Sequence, residues 1–186
     1  MRGLCTLFLI AAFPTQVWTI LVVLNDFSWV AKRTNAWDAI GAGAYGLLFA
    51  LVESVFVFLV AWLLSFLIPR AWKENKRLAL LFVLIYMTAL WVIFSQVTSI
   101  MGLTLPDSVI LLLAKIVHRL RYLVLIAAAV ITLTIVIPVY LVVRSERVVK
   151  ILDGLIERLS LLTVLYLFLD ILGIGIVIIR NIRGVV

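Results

Sequence analysis

Two carboxylates, Glu53 and Asp170, stand near the centres of long apolar stretches, 39–69 and 159–179, in which no other charged residue occurs. A carboxylate at bilayer depth costs about 2.5–3.5 kcal/mol on insertion scales, so such groups normally face a protein interior or a wet cavity. Helical spacing puts Thr163, Tyr166, Asp170 and Gly173 on one face of the last stretch. Ala42, Gly46, Phe49 or Ala50, and Glu53 align on the earlier one, a small-residue face that admits close approach of a second helix. A third stretch offers Thr88, Ser95, Ser99 and Gly102, with Gln96 beside them. Both acids are therefore expected to be buried. If the three seams meet, Glu53 and Asp170, with Tyr166, Thr163 and Gln96 around them, could share a proton or jointly hold a cation, the chemistry of a small proton- or cation-coupled transporter or channel subunit. The competing reading is structural: each acid hydrogen-bonds a neighbouring helix and locks its packing. The small and polar neighbours argue for burial more strongly than for transport.

A second group, Lys115, His118, Arg119 and Arg121, recurs at helical spacing at the end of the segment 107–121. It could bind the phosphate of a lipid headgroup or of an anionic lipid-linked substrate, with His118 as general acid or base. Interfacial anchoring by long basic stems is the simpler reading, because basic clusters at span ends are routine. Other enzymatic chemistry lacks its parts. No His/Cys/Asp/Glu set has metal-ligand spacing, no nucleophile stands near the one histidine in a motif, and a single histidine cannot supply a bis-histidine haem site. Gly41, Gly43 and Gly46 form a GxGxxG string, but an apolar run follows it and no strand precedes it, so it reads as a helix-packing or span-entry feature. No cofactor is expected.

The elements that must position these residues follow from composition. The 186 residues are 66% hydrophobic and 13% charged, with a mean hydropathy of +1.30, far from soluble domains. Five stretches, approximately 3–24, 39–69, 78–103, 120–143 and 159–179, are long enough to cross a hydrocarbon core of about 30 Å. Lipid leaves exposed backbone groups unsatisfied, and the two-residue alternation of barrel strands is missing, so the stretches are expected to be helices. The fold class is an all-α integral membrane protein, a bundle of about five transmembrane helices forming one polytopic domain over 1–186. Thr104, Pro106 and Asp107 mark a helix start. The basic segment 107–121 is expected to form a short interfacial amphipathic helix before the fourth span, or to continue into it. The short basic link 70–77 predicts an antiparallel hairpin, and Pro138 predicts a weakened or kinked helix. Trp29, Trp37, Trp72, Tyr122 and Tyr140 stand near span ends, as an interfacial belt would place them.

The formal charge of +7 is carried in links between apolar runs, so the expected partners are the bilayer and its anionic headgroups, with no nucleic acid. Met1-Arg2 before an uncharged run reads as an uncleaved first helix, and the lone Cys5 excludes an intrachain disulfide. With five spans, Arg2, Arg70, Lys73, Lys76, Arg77, Arg144, Arg147, Lys150 and Arg158 share one side, and Lys32, Arg33, Lys115, Arg119, Arg121, Arg180 and Arg183 the other. That balance favours N-terminus inside and C-terminus outside, and the expected location of the multi-pass protein is a prokaryotic cytoplasmic membrane. The layout is similar to the membrane portion that precedes the extracellular catalytic domain of some sulfatase-like and polymer-synthase proteins. The likeness is one of topology alone, implying the membrane portion of an enzyme acting on lipid-linked phosphates, and no diagnostic motif of those families is present. By elimination, the residues favour a non-enzymatic membrane-embedded anchoring or assembly module, with a protein partner or a homo-oligomer.

Overall fold

The structure, a computed structural model, describes residues 2–69, 71–101, 108 and 119–183. Five helices account for nearly all of them: α1 (Arg2–Arg33), α2 (Ala36–Ser65), α3 (Glu74–Met101), α4 (Arg119–Arg144) and α5 (Glu146–Arg183). All five are long and apolar enough to cross a membrane, so the all-α bundle of an integral multi-pass membrane protein is what the chain forms.

The helices outrun the apolar stretches. α1 continues through Asn25 and Asp26 to Arg33, and α5 begins at Glu146, thirteen residues before the last stretch. A helix satisfies its own backbone in water as well as in lipid, so an apolar run locates the buried part of a helix and not its ends. α2 closes earlier than expected, at Ser65, with turns over 66–68 before Pro69. The residue before a proline is pushed out of helical conformation, which explains the stop.

Short links force antiparallel neighbours. Between α1 and α2, Asn35 caps the next helix: its Oδ1 accepts from the Asp38 backbone N–H (2.8 Å) while its Nδ2 donates to Asp38 Oδ2 (2.8 Å). Ser145 alone separates α4 from α5, and its Oγ accepts from the Val148 N–H at 3.4 Å. The segment 66–73 turns α2 back into α3, forming the expected hairpin, and Arg77 Nη2 donates to the Ser65 carbonyl across it (3.0 Å).

These connections give the bundle two unlike ends. At the end bearing the α2–α3 link, all five helices converge on one apolar core that includes Leu7, Ile10, Ala61, Phe82, Val142, Val149 and Ile156. Lys76 Nζ donates there to the Val143 carbonyl (2.7 Å), and Asn75 Nδ2 to Asp153 Oδ2 (2.9 Å). At the opposite end α1, α2 and α5 stay together. α3 and α4 flank a gap of about 320 Å³ lined by Thr88, Trp91, Ser95, Gln96 and Ile131, beside which Trp91 Nε1 donates to Thr134 Oγ1 (2.9 Å).

α4 passes through Pro138 and α1 through Pro14, each costing its helix one backbone hydrogen bond. Of the expected amphipathic segment, Thr104, Pro106, Asp107, Lys115 and His118 lie outside the described residues. Arg119 and Arg121 belong to the first turn of α4, where Arg121 is exposed.

Candidate functional site

Asp170 is almost wholly enclosed, at 2% exposure, and its partner is a residue of α1. Gln16, fully buried, donates from Nε2 to Asp170 Oδ2 at 2.8 Å. One residue earlier on α1, the Thr15 and Ser54 hydroxyls are hydrogen-bonded at 2.7 Å, and Ser54 also reaches its own Ala50 carbonyl at 2.6 Å. A polar seam thus ties α1 to α5 and to α2 within the bundle. Thr163 lies two turns from Asp170, buried, with its hydroxyl donated to the Leu159 carbonyl (2.8 Å). Tyr166, one turn away, meets Phe13 of α1 with ring centroids 5.9 Å apart, and Phe13 in turn stacks on Tyr86 of α3 at 6.1 Å. Asp170 Oδ1 and Gln16 Oε1 take no hydrogen bond from any described residue.

Small residues let these helices close up. Gly173 rests on α2, where a Cβ would stand 3.4 Å from the Ala44 carbonyl oxygen and 3.6 Å from Leu47. Gly43 and Gly46 receive Val23 and Thr19 of α1, so the glycine string is a packing feature, as its setting implies. Gly41 lies under the Arg180 guanidinium, which has no room for a side chain beneath it. Arg180 Nη2 pairs with Asp38 at 2.8 Å and Nη1 donates to the Trp37 carbonyl at 2.7 Å, clasping the start of α2 to the end of α5.

Glu53 lies elsewhere. The buried residues of α2 are Ala39, Gly41, Gly43, Ala44, Ala50, Ser54 and Ala61; Gly43 and Ser54 meet Val23 and Thr15 of α1, and Gly41 and Ala44 meet Arg180 and Gly173 of α5. Ala42, Phe49 and Glu53 are exposed, which corrects the expectation that Glu53 is buried. The row chosen from spacing follows the edge of the buried face: Gly46 and Ala50 lie on it, whereas Ala42, Phe49 and Glu53 stand one residue before the buried Gly43, Ala50 and Ser54, and one residue turns a helix by about 100°. Ala44, against which α5 packs, precedes Glu53 by nine residues, about half a turn away after two full ones. Glu53 therefore points away from α5 and Asp170, and neither acid contacts the other.

Glu53 instead lines a lateral groove of about 430 Å³ between α1, α2 and Gln96 of α3. Its floor is Ala39, Gly43, Gly46 and Ala50, its walls include Trp18, Val22, Phe27 and Phe49, and its second acid is Asp26. Gln96, exposed, also borders the α3–α4 gap and so separates the two openings. Glu53 makes no hydrogen bond or ion pair with a described residue.

The five interior candidates thus divide into two places. Asp170, Thr163 and Tyr166 belong to the seam, Glu53 and Gln96 to the groove. Among the described residues no group of three or more His, Cys, Asp and Glu could hold a metal ion. The residues missed by spacing are Gln16, Thr15 and Ser54 in the seam and Asp26 in the groove. Gln16 had a signal, as a lone amide inside an otherwise uncharged run. Asp26 lies just beyond the apolar stretch, where an acid looks like ordinary surface. No protein-family model matches the chain, and comparison with curated proteins and with solved structures gives no match.

Proposed function

We propose that this polytopic membrane protein is an assembly module, holding a partner membrane protein by a transmembrane helix seated in the α1–α2–α3 groove. The observation that carries the reading is Glu53: an exposed carboxylate near the middle of a transmembrane helix, on a lateral face, with no described residue to satisfy it. Lipid offers such a group nothing, and intramembrane polar groups are matched by neighbouring helices. The small residues of the groove floor allow a helix to approach closely enough to do so. A transporter working through both acids would need them at one site, whereas Gln16 occupies Asp170 and Glu53 faces outward.

A photo-crosslinking residue at Phe49, on the groove wall, tests this in native membranes. A discrete membrane-protein adduct is expected, lost in Glu53→Leu and absent when the probe replaces Leu165, an exposed residue of α5 outside the groove. Lipid adducts alone at both positions would overturn the reading.

A further inference from the structure

The groove also constrains the chemistry of what fills it. Two carboxylates line it, Glu53 near mid-span and Asp26 towards the α1–α2 link, and among the described residues no Lys, Arg or His does. Val23 packs against Gly43, so Asp26, one turn further along α1, lies near the level of Ala39. Fourteen residues separate Ala39 from Glu53, about 20 Å along the groove at 1.5 Å per residue. That length suits a helix laid along the groove better than a compact ligand held at one point. An occupant with only apolar side chains would cover Glu53 without pairing it, leaving a buried acid either uncompensated or neutralised by a proton and still without a hydrogen-bond partner, at a cost in both cases. A second copy of this chain cannot supply the missing charge, because every Lys and Arg of the sequence lies outside the central parts of the five apolar stretches. A like chain could offer at that depth only hydroxyl, amide and indole N–H groups or its own two acids, and no positive charge.

We infer that the groove receives a transmembrane helix of a different protein that carries a lysine or arginine at the depth of Glu53. The inference rests on the assembly reading and gives the partner its distinguishing chemistry: one basic residue in an otherwise apolar helix, with large side chains facing the floor of Ala39, Gly43, Gly46 and Ala50. The guanidinium or ammonium pairs with Glu53, and the Gln96 side chain at the groove's rim can accept a further hydrogen bond from it.

The test uses the full chain in phosphatidylcholine vesicles, labelled with a fluorophore at Cys5, its single cysteine, which is exposed. The probes are labelled synthetic leucine-rich transmembrane peptides that differ only at the central residue: Lys, Leu or Glu. Energy transfer should report the Lys peptide binding about tenfold more tightly than the Leu peptide, the scale of one interhelical polar contact. The Glu peptide should bind least. In Glu53→Gln the preference for Lys should fall away, and in Glu53→Lys the Glu peptide should become the best binder. Equal binding of the Lys and Leu peptides, lost in Phe49→Ala, would keep the docking groove and overturn the charge inference. Glu53-dependent self-association of the labelled chain in place of peptide binding would overturn it in favour of a second copy. If no peptide binds, and tetraphenylphosphonium binds in a Glu53-dependent way, the groove is a small-cation site and both readings fall.

Discussion

At the scale of single residues, Asp170 and Gln16 form an asymmetric pair, and the asymmetry is measurable. Removing Gln16 leaves a carboxylate enclosed without its donor, whereas Asp170→Asn keeps an oxygen acceptor for the Gln16 amide. Gln16→Leu is therefore expected to destabilise the bundle more than Asp170→Asn does. A double-mutant cycle of Gln16→Leu with Asp170→Leu, followed by thermal unfolding in mild detergent, should give a coupling of about 1–2 kcal/mol, the upper range for interhelical polar contacts. Strict additivity would mean that the two side chains do not interact. Half of this pair is legible in the sequence. An acid in a long, otherwise uncharged apolar run calls attention to itself, and the seam Thr163, Tyr166, Asp170 places it inward. Its partner 154 residues away cannot be read, because contacts between helices depend on how each is rotated about its axis.

At the scale of elements, that same rotation explains where sequence and structure agree. Five helices follow from apolar length alone, since lipid permits no other use of such runs. Rotation needs more: on α2 small residues occur on more than one side, so Ala42, which is exposed, looks as fit for burial as Ala39 or Gly43. Spacing turns Glu53 inward for that reason. The glycines now separate into those that hold helices together and those that do not. A Cβ at Gly173 would meet the α2 backbone at Ala44, and backbone cannot yield as a flexible side chain can. Gly173→Leu should cost about 1–3 kcal/mol by forcing α5 off α2. Gly154, exposed on the same helix, has nothing within 4 Å of where a methyl group would stand. Gly154→Ala should therefore stabilise, by about 0.5–1 kcal/mol, through helix propensity alone. Thermal melts of both variants check the contrast, and a loss in Gly154→Ala would show an unrecognised contact on that face. Gly41→Ala belongs between them: the nearest atoms to its new methyl are those of the Arg180 side chain, which can swing aside. The cost is then the Arg180–Asp38 pair, about 0–1 kcal/mol for groups as exposed as these, together with the Arg180 hydrogen bond to the Trp37 carbonyl, about 0.5–1.5 kcal/mol.

At the scale of the whole molecule, the two intramembrane acids should affect stability in different ways. One end of the bundle gathers all five helices around a common core, and at the other the described residues of α1, α2 and α3 border a groove. Asp170 lies inside the bundle, and its hydrogen bond is lost when the helices separate. Glu53 lies in the groove wall, and its surroundings change little on unfolding within the membrane. Glu53→Leu should accordingly leave the thermal stability of the isolated chain unchanged or slightly higher, while Asp170→Leu lowers it by about 1–2 kcal/mol. The order is reversed for association: Asp170→Asn should retain the adduct formed from Phe49 and Glu53→Leu should lose it. Glu53→Leu should also lower the cost of inserting α2, since an acid near mid-span opposes insertion by about 2.5–3.5 kcal/mol. A residue that costs the chain insertion energy and returns no stability to the isolated bundle is placed for something outside it. Melting both leucine variants side by side in the same detergent decides the matter: equal losses would make Glu53 part of the bundle's own packing and leave the groove without its acid anchor.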